Sequence, residues 1–472
     1  MSLKTIRSNP ILLTDSYNFS HENLKENTDW EVSHLYNRSK GMIYYGVIEG
    51  VVNNVLTTQI TEQMVQEAQA IADRNNVPFP YETWMRVVNE LNGYVPLTVQ
   101  AMPEGTYCPP GTPFAQIRNT VEGFGDLVTW FEPILLHTHF ASTTATQALR
   151  IKRYTEQKKR QYGYDDSFDW RVHSFGFRGH RSLEDAYWAA SSWSMFNPGT
   201  DDIHISQHIS ASAIVGSISA SAHKVTQQFD DELEGFKHMI KKTAEAGKTI
   251  VALVIDTYDA YRVIDEYLYG LASFARTQGV HIVLRPDSGD TWDQAVAAYR
   301  VVKRNKMKNV SVIIGEDMSY ENMVKADAFF EEKNVPLNFI SYGIGGGFYN
   351  YVNRDTLGHA MKTSYSNNKN RMKFSSVPIK RSIPGVVSPY YTEGGDLRIR
   401  YEKEVGEENA YEVIYHHEAG YETPEFKTDG PEHWEAVRDL ALTQTMEQHI
   451  IYMDDEIRDE VEEFRRTYRI SI

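Results

Sequence analysis

Four apolar runs with regular spacing decide the fold of this chain. They are TIVALVI (249–255), VHIVL (280–284), NVSVII (309–314) and LNFISY (337–342). Successive runs start about thirty residues apart, the length of one βα unit, and a segment with helical apolar spacing follows each of the first three. Continuous apolar strands that alternate with helices are typical of a parallel sheet buried on both faces. We therefore predict an α/β fold with a (β/α) barrel-like core.

The rest of the chain adds one similar unit and two different segments. RVHSF (171–175) precedes an apolar helical pattern and predicts an earlier strand of the same sheet. Short strand-like pieces and Pro/Gly turns, as in MPEGTYCPPGTPF (102–114), predict an additional α+β domain. We predict an N-terminal α+β domain at 1–145, the barrel-like domain at 146–384, and a C-terminal segment at 385–472 that packs back on the N-terminal domain.

Composition narrows the class of protein. Lys and Arg total 48 against 64 Asp and Glu, giving a net charge of −16, which disfavours nucleic-acid binding but not a small anionic substrate in a local pocket. The single cysteine, Cys108, excludes an internal disulfide framework and a Cys-based zinc cluster. The longest apolar runs, such as Ile250–Ile255, are too short for a membrane span, and MSLKTIRSNPILL lacks a cleavage signal. We expect a cytoplasmic protein.

Charged residues and glycines follow the predicted strands, where the loops of a parallel barrel bind ligands. After the four runs stand, in order, Asp256; Arg285, Asp287 and Ser288; Glu316 and Asp317; and Gly343, Gly345, Gly346 and Gly347. Glycines expose backbone N–H groups to phosphate oxygens, arginine pairs with phosphate, and carboxylates hold Mg²⁺ or hydroxyls. The set favours a phosphate-bearing substrate.

Simpler interpretations of these residues stay open at this point. Asp287 and Ser288 are suited to capping the next helix, and a glycine cluster is commonly a turn. The P-loop pattern GxxxxGK[ST], the zinc motif HExxH and the nucleophile motif GxSxG are all absent from the sequence, and GIGGGF lacks the third glycine of a dinucleotide fingerprint.

Ten short motifs resemble, in wording, order and spacing, those of the nicotinamide phosphoribosyltransferase family, and the likeness extends over most of the chain. They are LLTDSYNFSH (12–21), YYGVIEG (44–50), MPEG (102–105), HSFGFRG (173–179), GTDD (199–202), ASAH (220–223), DTYD (256–259), RPDSGD (285–290), YGIGGG (342–347) and NRDTL (353–357). The resemblance implies a type II phosphoribosyltransferase core. It also implies transfer of the phosphoribosyl group of phosphoribosyl pyrophosphate to nicotinamide, in NAD salvage, by a homodimer with shared active sites.

The resemblance also implies how nicotinamide is held. Phe175 and Tyr17 would sandwich the pyridine ring, with Tyr17 and the neighbouring Asp15 at the substrate site and the tyrosine contributed by the partner subunit. Asp201 would accept a hydrogen bond from the carboxamide and repel the carboxylate of nicotinate. Without the resemblance, Tyr17 is equally an ordinary aromatic at a helix start, and Asp201 is equally a turn or cap of its loop.

Further roles concern the ribose and its phosphates. By resemblance, Arg178 and Arg285 would steer the ring substituent and the ribose phosphates, and Asp287 would hold ribose hydroxyls or the metal. Asp256, Gly315, Gly345 and Glu316 are further substrate-binding candidates, although Glu316 stands where the family carries aspartate. Gly346 and Gly347 would bind the 5′-phosphate through backbone N–H groups. The bases that resemble the pyrophosphate-binding residues of the family are Arg38, Arg354 and Lys362.

His223 resembles the family histidine that ATP phosphorylates to couple hydrolysis to product formation, which makes ATP a possible coupling cosubstrate. With Arg285 and Asp287 it completes the candidate catalytic set. Ala222 precedes it where the family carries glutamate, and a polar histidine satisfied in a small-residue loop is the alternative. Mg²⁺ is expected to arrive with pyrophosphate, so no set of metal ligands is assigned.

Three other functions remain as alternatives. Nicotinate phosphoribosyltransferase uses the same type of barrel, and a comparison of the two substrates discriminates it. A catalytically silent nicotinamide-binding relative should have lost several of the reactive groups, which are retained here. An unrelated barrel enzyme acting on sugar phosphates explains the loops but not LLTDSY (12–17) or FGFRG (175–179).

Overall fold

The computed structural model describes residues 9–315, 318–349, 352–375, 380–402, 409–446 and 451–468. The strands are β1 (Glu31–Asn37), β2 (Met42–Ile43), β3 (Leu97–Ala101), β4 (Tyr107–Cys108), β5 (Pro113–Asn119), β6 (Val172–Ser174), β7 (Gly199–Thr200), β8 (Ser219–Ala220), β9 (Ile250–Val254), β10 (His281–Arg285), β11 (Val310–Ile314), β12 (Ile340–Ile344), β13 (His359–Ser366), β14 (Lys369–Asn370), β15 (Val387–Tyr391), β16 (Leu397–Tyr401), β17 (Glu412–His416), β18 (Glu425–Phe426) and β19 (Tyr452–Met453).

The α-helices are α1 (Ser16–Ser20), α2 (Glu62–Asn75), α3 (Tyr81–Glu90), α4 (Asp126–Trp130), α5 (Glu132–His137), α6 (His139–Tyr162), α7 (Leu183–Ser194), α8 (His223–Thr226), α9 (Glu232–Glu245), α10 (Ala260–Arg262), α11 (Leu268–Thr277), α12 (Thr291–Arg304), α13 (Tyr320–Glu332), α14 (Gly346–Tyr349), α15 (Arg354–Leu357), α16 (Pro431–Thr443) and α17 (Asp455–Thr467). Segments Ile48–Leu56 and Val263–Tyr267 are π-helical, and short 3-10 turns include Phe177–Gly179, Ile203–Gln207 and Leu337–Phe339. Within the described ranges, no helix has the length and apolar character needed to cross a bilayer.

The chain divides into two compact units. One unit combines Met1–Thr146 with Val352–Ile472, and the other is Gln147–Tyr351. The predicted barrel-like domain includes 352–384, whereas the described part of this stretch lies in the first unit. The physical reason is strand β13, which pairs antiparallel along its length with β1.

The second unit contains a curled parallel sheet. Among its described residues, seven strands follow the order β7-β6-β12-β11-β10-β9-β8, and every pairing is parallel. A further parallel bridge joins Gly199 of β7 to Gly216, which precedes β8, so the sheet curls towards itself. The predicted α/β fold and its parallel sheet are confirmed.

The four apolar runs form the four neighbouring strands β9, β10, β11 and β12. The last strand begins at Ile340, later than its apolar run, because Leu337–Phe339 forms a 3-10 turn. Strand β6 pairs with both β7 and β12, so the first and the last strand of this unit are neighbours in the sheet.

The observed helix caps exclude a capping role for two carboxylates at the strand ends. The cap of α12 is Asp290, whose side chain accepts a hydrogen bond from the backbone N–H of Asp293 at 3.0 Å. The cap of α10 is likewise Asp259. Asp287 and Asp256 are therefore not the capping residues of the helices that follow them.

The first unit is built on an antiparallel sheet. In its described part, the strand order is β14-β13-β1-β5-β3-β17-β18, so the C-terminal segment contributes β17 and β18 to the sheet of the N-terminal segment. Aliphatic and aromatic side chains from both segments form one core cluster. Shared strands and a shared core make the two segments one folded unit.

Glu104 of the MPEG motif joins two elements of this unit. Its buried carboxylate accepts hydrogen bonds from the backbone N–H groups of Gly46, Val47 and Ile48 at 3.0, 2.7 and 3.0 Å. Its other oxygen lies 2.9 Å from Nε2 of His433 on α16. Glu104 therefore accepts hydrogen bonds from the free N–H groups at the start of the π-helical segment and anchors α16 to it.

We expect the variant Glu31→Gln to make unfolding less sensitive to pH. Burial raises the pKa of Glu31 from 4.5 to about 7, against the hydrogen bonds that its carboxylate accepts from Thr363 and Ser33. Because the pKa of Glu31 is higher in the folded than in the unfolded state, folding favours the protonated carboxyl group. The stability that this protonation contributes is fully present below pH 4.5 and is lost as the pH rises through 7. At pH 8 the free energy of unfolding of Glu31→Gln should therefore exceed that of the wild type by roughly 3 kcal/mol.

Urea unfolding between pH 5 and 8 measures this difference. The exposed Glu26 is the matched control, since Glu26→Gln should follow the wild-type pH profile. Parallel profiles for Glu31→Gln and the wild type across this range would contradict the prediction.

Candidate active site

Phe175 lies in the turn that follows β6, at the carboxyl end of the curled sheet. Its ring packs on a small apolar cluster formed by Ala252, Val283 and Ile313. It also lies directly against β12, because a Cβ placed on Gly343 would be 2.2 Å from Cε2 of the ring. Only glycine at this position leaves the ring its room.

Arg285 lies beside the same ring. Its guanidinium carbon is 5.4 Å from the centroid of Phe175, and Nη2 is 3.4 Å from Oδ1 of Asp287. Its Nε is buried without a hydrogen-bond partner among the described residues. A cation over an aromatic face is favourable, and the unsatisfied donor is suited to an anionic oxygen.

His223 lies on the other side of Asp287. Its Nε2 is 3.7 Å from Oδ2 of Asp287, and its Nδ1 is 3.1 Å from Oγ1 of Thr257. The hydrogen bond at Nδ1 orients the ring so that Nε2 faces the carboxylate. Thr257 thus orients His223. The residue directly before His223 is Ala222, whose methyl side chain has no group for this task. Thr257 belongs to the DTYD motif (256–259) but is not among the predicted site residues.

Asp256 lies at the end of β9 with one oxygen engaged. Oδ2 accepts a hydrogen bond from the hydroxyl of Ser288, while Oδ1 is buried and has no partner within the described part of the chain. Such an acceptor is suited to a hydroxyl donor of a ligand.

Asp201 follows β7 and faces Ser217. Its backbone N–H donates to the carbonyl of Ser174 at 2.9 Å, and its Oδ1 accepts a hydrogen bond from the Ser217 hydroxyl. The cap position of the following 3-10 turn belongs to Asp202. Nothing in the sequence pattern singled out Ser217, since it contacts Asp201 only through the folded sheet.

The glycine-rich loop follows β12 and leads into α14. A Cβ on Gly179, in the turn after β6, would lie 3.2 Å from both N and Cα of Gly346, so the two loops pack backbone to backbone. Arg178 belongs to the same turn, and its side chain is exposed. Gly315 follows β11, and among the described residues a Cβ there would have no neighbouring atom within 4 Å. Glu316 lies outside the described residues.

A basic cluster, formed by Arg38, Arg354 and Lys362, lies in the first unit. Lys362 Nζ is 3.7 Å from Oε1 of Glu132. Burial lowers the pKa of Arg38 and that of Lys362, and the Glu132 carboxylate opposes the shift in both. Two guanidinium nitrogens of Arg38 are buried without a partner among the described residues, which leaves donors for an anion. Sequence reasoning missed Glu132.

Tyr17 lies near this cluster as the second residue of α1, whose capping position is held by Asp15. The tyrosine is 52% exposed, so a face of its ring is accessible. Burial, Glu132 and Asp15 together raise the pKa of Tyr17, which keeps the phenol neutral.

The structure thus brings together two groups of candidate residues. The group at the carboxyl ends of the parallel strands contains Phe175, Arg178, Asp201, His223, Asp256, Arg285, Asp287, Gly315, Gly345, Gly346 and Gly347. The group in the first unit contains Asp15, Tyr17, Arg38, Arg354 and Lys362. In the described ranges, no cluster of three or more His, Cys, Asp or Glu side chains is suited to hold a metal ion.

Comparison with known proteins agrees with this geometry. Residues 170–375, which include the carboxyl-end loops from β6 to β12, match the model of the nicotinate phosphoribosyltransferase (NAPRTase) family. The chain is 26% identical over 381 residues to a nicotinamide phosphoribosyltransferase of Xanthomonas campestris pv. campestris, covering 75% of this chain and 81% of the relative. It is also 26% identical over 381 residues to a nicotinamide phosphoribosyltransferase of Mycoplasma genitalium, covering 73% and 81%. The resemblance to nicotinamide phosphoribosyltransferases is confirmed.

Solved structures show the same fold. The human nicotinic acid phosphoribosyltransferase superposes with a TM-score of 0.61 at 16% identity, covering 96% of this chain and all of the other. A nicotinate-nucleotide pyrophosphorylase from Pyrococcus furiosus gives a TM-score of 0.57 at 16% identity, covering 98% and 97%. At such identity the likeness concerns the fold alone.

Proposed function

We propose that this chain transfers the phosphoribosyl group of phosphoribosyl pyrophosphate to nicotinamide, giving nicotinamide mononucleotide and pyrophosphate for NAD salvage. The observation that carries the proposal is the grouping of Phe175, Arg285 and Asp287 at the carboxyl end of a curled parallel sheet. An apolar ring face, a cation and a carboxylate there suit a pyridine ring and a phosphorylated ribose. The names of the aligned relatives support the choice of nicotinamide.

The chemistry is a displacement at C1 of the ribose. Mg²⁺ bound to phosphoribosyl pyrophosphate would neutralise the charge of the pyrophosphate that leaves C1. The protein supplies no nucleophile to the sugar. Phe175 places the pyridine nitrogen, Asp201 orients the carboxamide, and Arg285 stabilises phosphate charge near the reacting carbon. Positioning of this kind supplies several kcal/mol, about 7 or more in favourable cases.

The proposed active unit is a homodimer in the cytoplasm. Tyr17 of one subunit would stack on the pyridine ring opposite Phe175 of the other, and the basic cluster would hold pyrophosphate. The exposure of Tyr17 and the unsatisfied guanidinium nitrogens of Arg38 support this arrangement. ATP is the proposed coupling cosubstrate, because His223 is 42% exposed and has its Nε2 directed at Asp287.

One assay tests the activity directly. The protein is mixed with nicotinamide, phosphoribosyl pyrophosphate and Mg²⁺, with and without ATP, and nicotinamide mononucleotide is measured. Product formation is the expected result, and its absence under both conditions would overturn the proposed function. Stimulation by ATP that disappears in His223→Ala supports the coupling, and equal rates with and without ATP contradict it.

A dilution series tests the shared site. Specific activity should fall as subunits separate, because a pocket built by two chains is lost with the dimer. Constant specific activity across a range in which sedimentation shows dissociation would contradict the contribution of Tyr17 from the partner.

The second candidate is nicotinate as the substrate, which the names of the structurally similar proteins and of the matching family favour. Asp201 favours the amide, because its carboxylate accepts an N–H but repels a second carboxylate. A higher kcat/KM for nicotinate than for nicotinamide would replace the first choice by the second.

We expect Asp201→Asn to lower the preference for nicotinamide over nicotinate by about tenfold to a hundredfold. A hydrogen bond to a charged group contributes about 1.5–3 kcal/mol, and the amide also removes the repulsion of nicotinate. Steady-state kinetics with both substrates measure the ratio. The matched control is Asp259→Asn, since Asp259 caps α10 and should leave the ratio unchanged. Unaltered kinetics of Asp201→Asn with both substrates would refute the assignment.

A further inference from the structure

Asp202 is a buried carboxylate that joins two loops of the candidate site. It is 2% exposed, and its Oδ1 accepts the backbone N–H of Phe177 at 3.0 Å, in the turn that carries Phe175. Its Oδ2 accepts the hydroxyl of Ser174 at 2.6 Å and that of Thr200 at 3.3 Å. Asp202 is the last residue of the GTDD motif (199–202) and is not among the predicted site residues.

The hydrogen bonds continue from Asp202 to the glycine-rich loop. Oγ of Ser174 is 3.0 Å from the hydroxyl of Tyr349, the last residue of α14. The hydroxyl proton of Ser174 goes to the carboxylate, which only accepts, so the Tyr349 hydroxyl must donate to Ser174. Burial raises the pKa of Tyr349, so the proton for this donation is retained.

These contacts form one chain from Tyr349 through Ser174 to Asp202 and on to the backbone of Phe177. One end lies in the segment that follows Gly345 and Gly346, the proposed phosphate loop. The other end lies in the turn that holds the proposed ring-stacking residue. A buried network of this kind specifies a single arrangement when every member is satisfied.

We propose that Asp202 is a positioning residue that couples the two halves of the site, fixing the Phe175–Arg178 turn directly and the Gly345–Tyr349 segment through Ser174. The inference rests on the proposed function, because it assigns the first half to nicotinamide and the second to the ribose phosphate. Asp202 itself touches neither substrate.

Loss of the carboxylate should affect both halves. In Asp202→Ala the N–H of Phe177 and the hydroxyl of Ser174 lose their acceptor, so both loops gain alternative positions. Misplacement of reacting groups by about 1 Å lowers turnover on the order of a hundredfold. We therefore expect kcat to fall on that order and the KM values for both substrates to rise.

The variant Tyr349→Phe tests the phosphate half of the site separately from the nicotinamide half. It removes one hydroxyl at the phosphate end, so the KM for phosphoribosyl pyrophosphate should rise about fivefold, the scale of one hydrogen bond. The dissociation constant for nicotinamide, measured by calorimetry, should stay at the wild-type value. In the Asp202→Ala background the same change should add little, because Ser174 is no longer held.

Two further variants distinguish positioning from stability. Asp202→Asn keeps an acceptor oxygen for Phe177 and should restore the nicotinamide dissociation constant to within about threefold of wild type. Thr243→Val is the matched control for Tyr349→Phe, since it removes a buried hydroxyl that bonds to Met239 within α9 of the same unit. It should lower the Tm without changing either KM.

The outcomes are distinguishable. Wild-type protein that forms no nicotinamide mononucleotide refutes the proposed function. Active wild type whose Asp202→Ala variant keeps kcat and both KM values refutes the positioning role, as does Tyr349→Phe that weakens nicotinamide as much as phosphoribosyl pyrophosphate.

Discussion

Replacing Gly343 by alanine is expected to lower kcat/KM for nicotinamide by about a hundredfold. The added methyl group would lie 2.2 Å from Cε2 and 2.5 Å from Cδ2 of Phe175, and 3.1 Å from Cα of Gly315. The Gly315 backbone on the other side prevents the new methyl group from shifting away. The ring of Phe175 therefore has to leave its place beside Arg285. A ring that no longer stacks on the pyridine loses its affinity and its alignment at once.

Two comparisons isolate this steric effect. Gly270→Ala is the matched control, because a Cβ there meets nothing within 4 Å and its position in α11 favours alanine. In a Phe175→Leu background the Gly343→Ala change should cost little further activity, since the clashing ring is gone. Steady-state kinetics of the four combinations give the answer. Fully additive losses in the double variant would mean that Gly343 acts through something other than Phe175.

Asp327→Ala is expected to lower the free energy of unfolding by about 3–5 kcal/mol, because it leaves a buried charge without its partner. Asp327 is fully buried and pairs with Arg171 through contacts of 2.6 and 3.1 Å. It also accepts the hydroxyl of Tyr342 at 2.7 Å. Arg171 is itself only 3% exposed, so water cannot replace the carboxylate.

Urea denaturation measures the loss. Glu245→Ala is the control, because Glu245 forms an exposed pair with Lys242 and should leave the stability nearly unchanged. Exchanging Arg171 and Asp327 together for apolar residues of similar size should cost less than Asp327→Ala alone, since no charge then stays buried. A loss for Asp327→Ala no larger than that for Glu245→Ala would show that the pair contributes nothing.

The site was only partly open to prediction. Arg285, Asp287 and Asp256 could be placed at one edge because each lies within three residues of the end of an apolar run, and parallel strands share their carboxyl ends. Thr257, Ser217 and Glu132 could not, because each acts through a partner distant in sequence, and a threonine, serine or glutamate in a loop carries no distinguishing pattern.

The amino-acid sequence by itself determined the local features of this protein. Strands β9 to β12, the helices between them and the composition of their loops follow from apolar periodicity, which depends only on neighbouring residues. Tertiary structure alone decided that β6 lies between β7 and β12, that β13 belongs to the first unit, and that the ring of Phe175 lies over Gly343. These arrangements depend on pairing and packing between residues far apart in the chain. The free energy of such contacts cannot be inferred from a local sequence pattern.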